Sequence, residues 1–223
     1  VYRDKRIVNV CPNCKTALAD IDTEHEERRG IFAFIKYPVV GSRGEYIIVA
    51  TTRPETMLGD SAVAVNPKDE RYKKHIGKKV LLPIQNKEIP VIADESVDME
   101  VGTGAVKVTP AHSPVDFDLG KKHGLEIVNV IDENGKMTGD IPEKYKGMHT
   151  ITCSKQLCED LDKLGLLEDI QNIKHDVAIC ERCGTPVEPI ISNQWFVNVD
   201  NLAKKALGAL KNGDVRVIPH GQQ

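Results

Sequence analysis

Ile31-Phe32-Ala33-Phe34-Ile35, a turn carrying Pro38, Gly41 and Gly44, and then Glu45-Tyr46-Ile47-Ile48-Val49-Ala50-Thr51-Thr52-Arg53-Pro54 decide how this chain folds. Two β-rich runs around a proline- and glycine-marked turn predict a hairpin whose second strand ends directly in Thr51-Thr52-Arg53-Pro54. Working outward, further short strands are expected at 62–65, 79–82, 89–93, 105–109 and 127–131, each bounded by Pro, Gly or Asn. Many short strands between turn residues predict an α+β fold with a mixed, β-barrel-like core rather than regular βαβ units.

Short helices flank that core. Residues 114–123 form one, with an early proline and a stop at Gly124. Residues 152–164 form the clearest one, because Leu157, Leu161 and Leu164 share a face and Gly165 ends it. Asn134-Gly135 signals a tight turn. Strands are expected at 6–10 and 195–197, and an amphipathic helix at 201–210 with Leu202, Ala206, Leu207 and Leu210 facing inward. Residues 31–171 read as the core, and 1–30 with 172–223 as a zinc-ribbon-like stem and linkers. Both ends look like cuts through a larger protein.

Of the 223 residues, 40% are apolar and 28% charged, which suits a folded domain. No apolar run is long enough for a membrane span, and no signal-peptide stretch follows the charged first residues. The net charge of -3 excludes a protein that holds nucleic acid by bulk charge alone. It leaves room for weak, salt-sensitive contact with an RNA end delivered by another domain.

Six cysteines are too few for a disulfide scaffold and fit a reducing, cytoplasmic setting. Cys11-Pro12-Asn13-Cys14 and Cys180-Glu181-Arg182-Cys183-Gly184 share one two-residue gap. Two such turns supply the four soft ligands of a tetrahedral structural Zn2+ and would clamp the ends of the chain into a stem. Free thiols in unrelated turns, or a redox dithiol, are the alternatives. Cys153 and Cys158 read as small apolar residues of the 152–164 helix.

Two polar stretches are too unusual for plain scaffold. Thr51-Thr52-Arg53-Pro54-Glu55-Thr56-Met57-Leu58-Gly59-Asp60 packs hydroxyls, a guanidinium and carboxylates together. In the run from Gly102 to Phe117, strand alternation puts Lys107 and Thr109 on one side, followed by His112, Ser113 and Asp116. Hydroxyls, an ammonium and a carboxylate suit a small amino-bearing ligand. Strand-end bonding by the threonines, a helix-capping Asp116 and a structural His112 are the plainer readings. No P-loop, dinucleotide fingerprint or serine-nucleophile elbow is present.

Taken together, YRDKRIVNVCPNCKTALAD, TTRPETMLGDSAVAVNPKDERY, VDMEVGTGAVKVTPAHSPVDFDLGKKHGL and CERCGTPVEPIISNQWFVNV resemble the editing domain of the valyl-tRNA synthetases, over nearly the whole chain. TTRPETMLGD is the discriminating string. The resemblance implies hydrolysis of threonine wrongly esterified to valine tRNA. Its partners are then the tRNA acceptor end and the catalytic and anticodon-binding domains, with the isolated piece monomeric. It implies no cofactor for hydrolysis, ATP serving only the full-length synthetase, and without HIGH or KMSK signatures no aminoacylation is expected. Asp116, Lys107 and Thr109 would be the catalytic set. Thr51, Thr52, Arg53, Thr56, Asp60, His112 and Ser113 would bind substrate, with Asp116 on the α-ammonium. The family usually has aspartate at Ser113, phenylalanine at Val101 and tryptophan at Val10. A non-catalytic, zinc-stabilised module for the tRNA acceptor end is the alternative.

Overall fold

The computed structural model describes residues 1–218, so positions 219–223 of the expected stem lie outside the described residues. In chain order the strands are β1 (Tyr2–Cys11), β2 (Thr16–Leu18), β3 (Thr23–Pro38), β4 (Tyr46–Thr51), β5 (Ala62–Val65), β6 (Lys79–Leu82), β7 (Lys87–Ala93), β8 (Ala105–Val108), β9 (Leu167–Cys180) and β10 (Glu188–Phe196). The helices are α1 (Pro114–His123), α2 (Thr150–Lys163) and α3 (Asp200–Lys211), with a 3-10 turn at Pro54–Gly59. Two compact units result: Ile7–Ile191, and Val1–Arg6 with the stretch from Ser192 onward.

The hairpin forms as its sequence dictates. β3 and β4 pair antiparallel from Ala33↔Thr51 to Pro38↔Tyr46. Alternation buries Ala33, Ile35 and Tyr37 with Ile47 and Val49 on one face, and these join the main apolar core. β3, however, begins well before Ile31. On its other edge it pairs with β9 from Thr23↔Cys180 to Ile35↔Leu167, with a register shift between Phe34 and Ile35.

The fold is mixed α+β, but the barrel-like expectation is wrong. Among the described residues the strands form three open sheets, ordered β10-β1-β2, β4-β3-β9 and β6-β7-β5-β8. A barrel needs an unbroken ladder around its girth. Here one isolated bridge, Val39↔Val80, links the second sheet to the third. The chain leaves β4 through the 3-10 turn rather than a continuing ladder, so nothing closes the circle.

β5 lies inside the third sheet, parallel to β7 and antiparallel to β8, and all four of its residues are buried. A strand covered on both faces reads as an unbroken apolar run, here Ala62-Val63-Ala64-Val65. β8 is thereby fixed in register, with Lys107 opposite Val63.

α1 starts at Ser113, whose hydroxyl accepts the Asp116 N–H, and stops at Gly124 in the left-handed conformation (φ 62°). Its C-terminal end is tied to the end of β7. Asp94 accepts from Lys122 Nζ and His123 Nε2, each at 2.7 Å. Those two partners, led by Lys122 and helped by the Ser96 N–H, hold the Asp94 carboxyl well below the usual carboxylate range. A depressed carboxylate contributes stability above its unfolded value of about 3.9 and loses it as pH falls. Asp94→Asn should therefore lower stability by about 1–2 kcal/mol at pH 7. In urea melts that difference should shrink below about pH 4.

Three expectations about local structure need correction. Residues 127–131 form no strand: Ile131 makes one isolated bridge to Met137, and the Val130 N–H is taken by the His112 ring. The long polar strand β9 replaces what read as connection. In α3, a helix as expected, Leu202, Leu207 and Leu210 are 63%, 54% and 37% exposed rather than inward. In the unit that holds α3, Tyr2 and Phe196 rings lie 5.7 Å apart with the Arg6 guanidinium over Phe196. No helix among the described residues is long and apolar enough to cross a membrane.

Candidate active site and cysteine cluster

The residues after β4, the end of β8 and the start of α1 meet inside the larger unit. Lys107 Nζ donates to Thr56 Oγ1 and Thr109 Oγ1, both at 2.7 Å, and approaches Asp60 Oδ1 at 3.4 Å. Those three contacts use all three ammonium hydrogens. Thr109 Oγ1 donates to Asp60 Oδ1 at 2.6 Å, and Tyr37 Oη donates to Asp60 Oδ2 at 2.7 Å. Asp116 Oδ2 accepts the Thr109 N–H at 2.9 Å. Asp60, Thr56, Thr109, Lys107 and Asp116 are all buried.

Burial shapes the electrostatics. Removal from water pushes Asp60 up to about 6, against the pull of Lys107 and the Thr109 and Tyr37 hydroxyls. It also raises Asp116, with Lys107 and the Thr109 N–H opposing. The Lys107 charge opposes the rise at both carboxyls, but of the two it contacts only Asp60 directly.

The remaining expected site residues act at the edges. Thr51 Oγ1 accepts the Arg53 N–H at 3.0 Å, a strand-end bond that turns the chain out of β4. Thr52 follows half-buried. Thr56 Oγ1 donates back to the Arg53 carbonyl at 2.9 Å, within its own turn. Arg53 is committed to two carboxylates: Nε donates to Glu55 at 2.9 Å and Nη2 to Glu188 at 2.5 Å. Burial alone would lower the arginine, but the two acids outweigh it and hold the group above its ordinary value. Ser113 serves as the α1 cap. His112 is held between backbones, with Nε2 accepting the Val130 N–H at 2.9 Å and Nδ1 at 3.3 Å from the Pro189 carbonyl. Burial, aided by the Arg53 charge, drops its pKa to about 3, so the ring is neutral and its Nδ1 carries the proton.

Tyr37 and Glu188 were not anticipated. Tyr37 was findable: alternation places it with Ala33 and Ile35 on the buried face, where a hydroxyl demands a partner. Glu188 had no comparable signal, since one glutamate between Val187 and Pro189 matches no pattern.

The four paired cysteines come together, and their Sγ atoms all lie within 4.8 Å of one another. Both knuckles are built alike. Lys15 N–H donates to the Cys11 carbonyl and Gly184 N–H to the Cys180 carbonyl, each at 2.8 Å, with Lys15 (φ 54°) and Gly184 (φ 68°) left-handed. Tetrahedral zinc with Zn–S near 2.3 Å needs sulfurs about 3.8 Å apart. Cys11 and Cys183 Sγ atoms are 3.5 Å apart, within hydrogen-bond reach and without a disulfide. The donor set fits the metal. Cys153 and Cys158 are buried in α2, and burial pushes them up to about 12 and about 11, so they are inert thiols.

Comparison with known proteins bears on the family. Residues 70–177 match the family model described as leucyl-tRNA synthetase, editing domain. The chain is 53% identical over 219 residues to the valine–tRNA ligase of Geobacter sulfurreducens, covering 98% of this chain and 25% of that protein. It is 52% identical to the enzyme of Clostridium perfringens and 48% to that of Thermotoga maritima, each with the same coverage. The chain thus spans about a quarter of the length of these curated relatives. On these similarities it belongs to the editing (connective polypeptide) domain of the valyl-tRNA synthetases, within the class I aminoacyl-tRNA synthetase family.

Proposed function

We propose that this chain hydrolyses the ester linking threonine to the terminal adenosine of valine tRNA. The observation that carries the reading is the buried Asp116–Thr109–Lys107–Thr56 chain of hydrogen bonds, closed by Asp60. Threonine and valine are nearly isosteric, so a hydrophobic synthetic pocket separates them by only about a hundredfold. A second site that hydrogen-bonds the threonine hydroxyl reverses the preference, because valine leaves its buried polar groups unpaired at about 1–3 kcal/mol each.

In this mechanism Asp116 anchors the α-ammonium, which fixes the ester carbonyl relative to water. Lys107 has its hydrogens engaged, so it acts through its field and by holding Thr56 and Thr109. Thr51, Thr52 and Arg53 line the adenosine side. His112 fixes the backbone on either side of the pocket, and Ser113 orients the helix that carries Asp116. Water attacks with help from a ribose hydroxyl, and no covalent intermediate forms on the protein. The test is threonine release from purified threonyl-tRNA. Release above the uncatalysed rate, weakening as salt rises, supports the reading, and none sinks it.

Zinc belongs to the same proposal in a structural role. Cys11, Cys14, Cys180 and Cys183 would hold one Zn2+ and tie β1 to the β9–β10 turn. Metal analysis should find one zinc per chain. Cys180→Ser should lose it and lower the melting temperature, whereas Cys158→Ser should retain it.

A further inference from the structure

Glu188 is buried at 8% exposure, follows the second cysteine knuckle and belongs to no motif. Both its oxygens are engaged: Oε2 takes Arg53 Nη2 at 2.5 Å, and Oε1 accepts from Thr150 Oγ1, the first residue of α2, at 3.3 Å. The next carbonyl, of Pro189, receives His112. Two consecutive residues at the start of β10 are therefore gripped by both polar stretches of the site and by α2. Gly135 packs against the same point, since a Cβ there would lie 3.3 Å from Pro12 of the first knuckle and 3.9 Å from Glu188 Cγ.

The arrangement is poorly explained by stability. A buried ion pair seldom outperforms apolar packing, because desolvation consumes most of the attraction. What it does provide is geometry. Glu55 and Glu188 hold the Nε–Nη2 edge of one planar guanidinium, fixing its plane and directing the Nη1 end elsewhere. The Arg53 side chain is 31% exposed, against 6% for Glu55 and 10% for Glu188, so the arginine is the member of the trio that reaches solvent.

We propose that Glu188 is a positioning residue: it sets the Arg53 guanidinium so that the Nη1 end meets an oxygen of the bound aminoacyl-adenosine ester. This rests on the ester-hydrolase reading. Glu188→Gln keeps the size and removes the charge. Relative to the unsubstituted chain, the Arg53 Nε–Hε NMR signal, assigned by its loss in Arg53→Lys, should shift and exchange faster. The KM for threonyl-tRNA should rise about tenfold while kcat stays within about twofold, as for an interaction made equally in ground and transition states. Combined with Arg53→Gln, it should add nothing further. Thr150→Val, which releases only the other Glu188 oxygen, is the milder variant and should move both readouts less, in the same direction. An Arg53 signal unchanged in Glu188→Gln, or effects of Glu188→Gln and Arg53→Gln that add in full, would overturn the proposal. If the unsubstituted chain releases no threonine, the hydrolase reading fails, and the NMR comparison alone decides whether Glu188 positions Arg53.

Discussion

Asp116→Asn is expected to lower threonyl-ester hydrolysis at least about a hundredfold while leaving the fold intact. The choice of asparagine matters. Asp116 Oδ2 accepts the buried Thr109 N–H, and an alanine there would orphan that donor at about 1–3 kcal/mol. The asparagine carbonyl can keep that bond and remove only the charge. A drop in rate with an unchanged melting temperature then isolates the carboxylate. Full activity in Asp116→Asn would remove it from the mechanism, because a neutral amide cannot pair with an ammonium as a carboxylate does.

Lys107→Met should produce the largest loss of stability, about 3–5 kcal/mol, because it strands Asp60 as an unpaired buried acid. Asp60 is already pushed up to about 6, and Lys107 is the strongest of the influences holding it down. Without Lys107 it rises further. A carboxyl raised above its unfolded value of about 3.9 contributes stability that is present below that value and is lost as pH rises through the folded one. The deficit of Lys107→Met should therefore be larger at pH 7.5 than at pH 5. Adding Asp60→Asn removes the stranded charge and should recover roughly half of the loss at neutral pH. Denaturant midpoints of the single and double variants at both pH values check this. Equal deficits at both pH values would show that lost packing, not charge, dominates.

The parts of this fold that were legible are those where one face is buried. The β3–β4 hairpin, α1 with its early Pro114 and Gly124 stop, and α2 with Leu157 and Leu161 on its buried face all announce themselves by periodicity or punctuation. Leu164, expected on the same face, is exposed just past the helix, and the cap of α1 is Ser113 rather than Asp116. β9 does not, since much of it runs beside β3 in a two-stranded ribbon and its early residues, from Glu168 to Asn172, are exposed in succession. Along that exposed run no face is buried, so there is no alternation to read. The stretch 127–131 misleads in the opposite way: it is apolar, but the Val130 N–H is bound to His112, a contact that only tertiary structure reveals. The apolar stripe of α3 was real, yet among the described residues none of its side chains is buried.

The site shows the same division. Lys107 and Thr109 share a side because strand alternation requires it, and Asp116 joins them because the turn after β8 leads directly into α1. That Asp60 closes the cluster, that Tyr37 supports it from β3, and that Glu188 captures Arg53 depend on contacts between segments far apart in sequence. The paired cysteines lie between these extremes. Their spacing identified them, and only the coordinates bring the four sulfurs within reach of one ion.

The central claim, a pocket that recognises the threonine hydroxyl while its ester is cleaved, is tested most directly by rates of amino-acid release from threonyl- and valyl-tRNA under identical single-turnover conditions. One satisfied buried hydroxyl contact predicts that the threonyl ester is cleaved about 5–150-fold faster. Equal rates for the two esters would contradict the account.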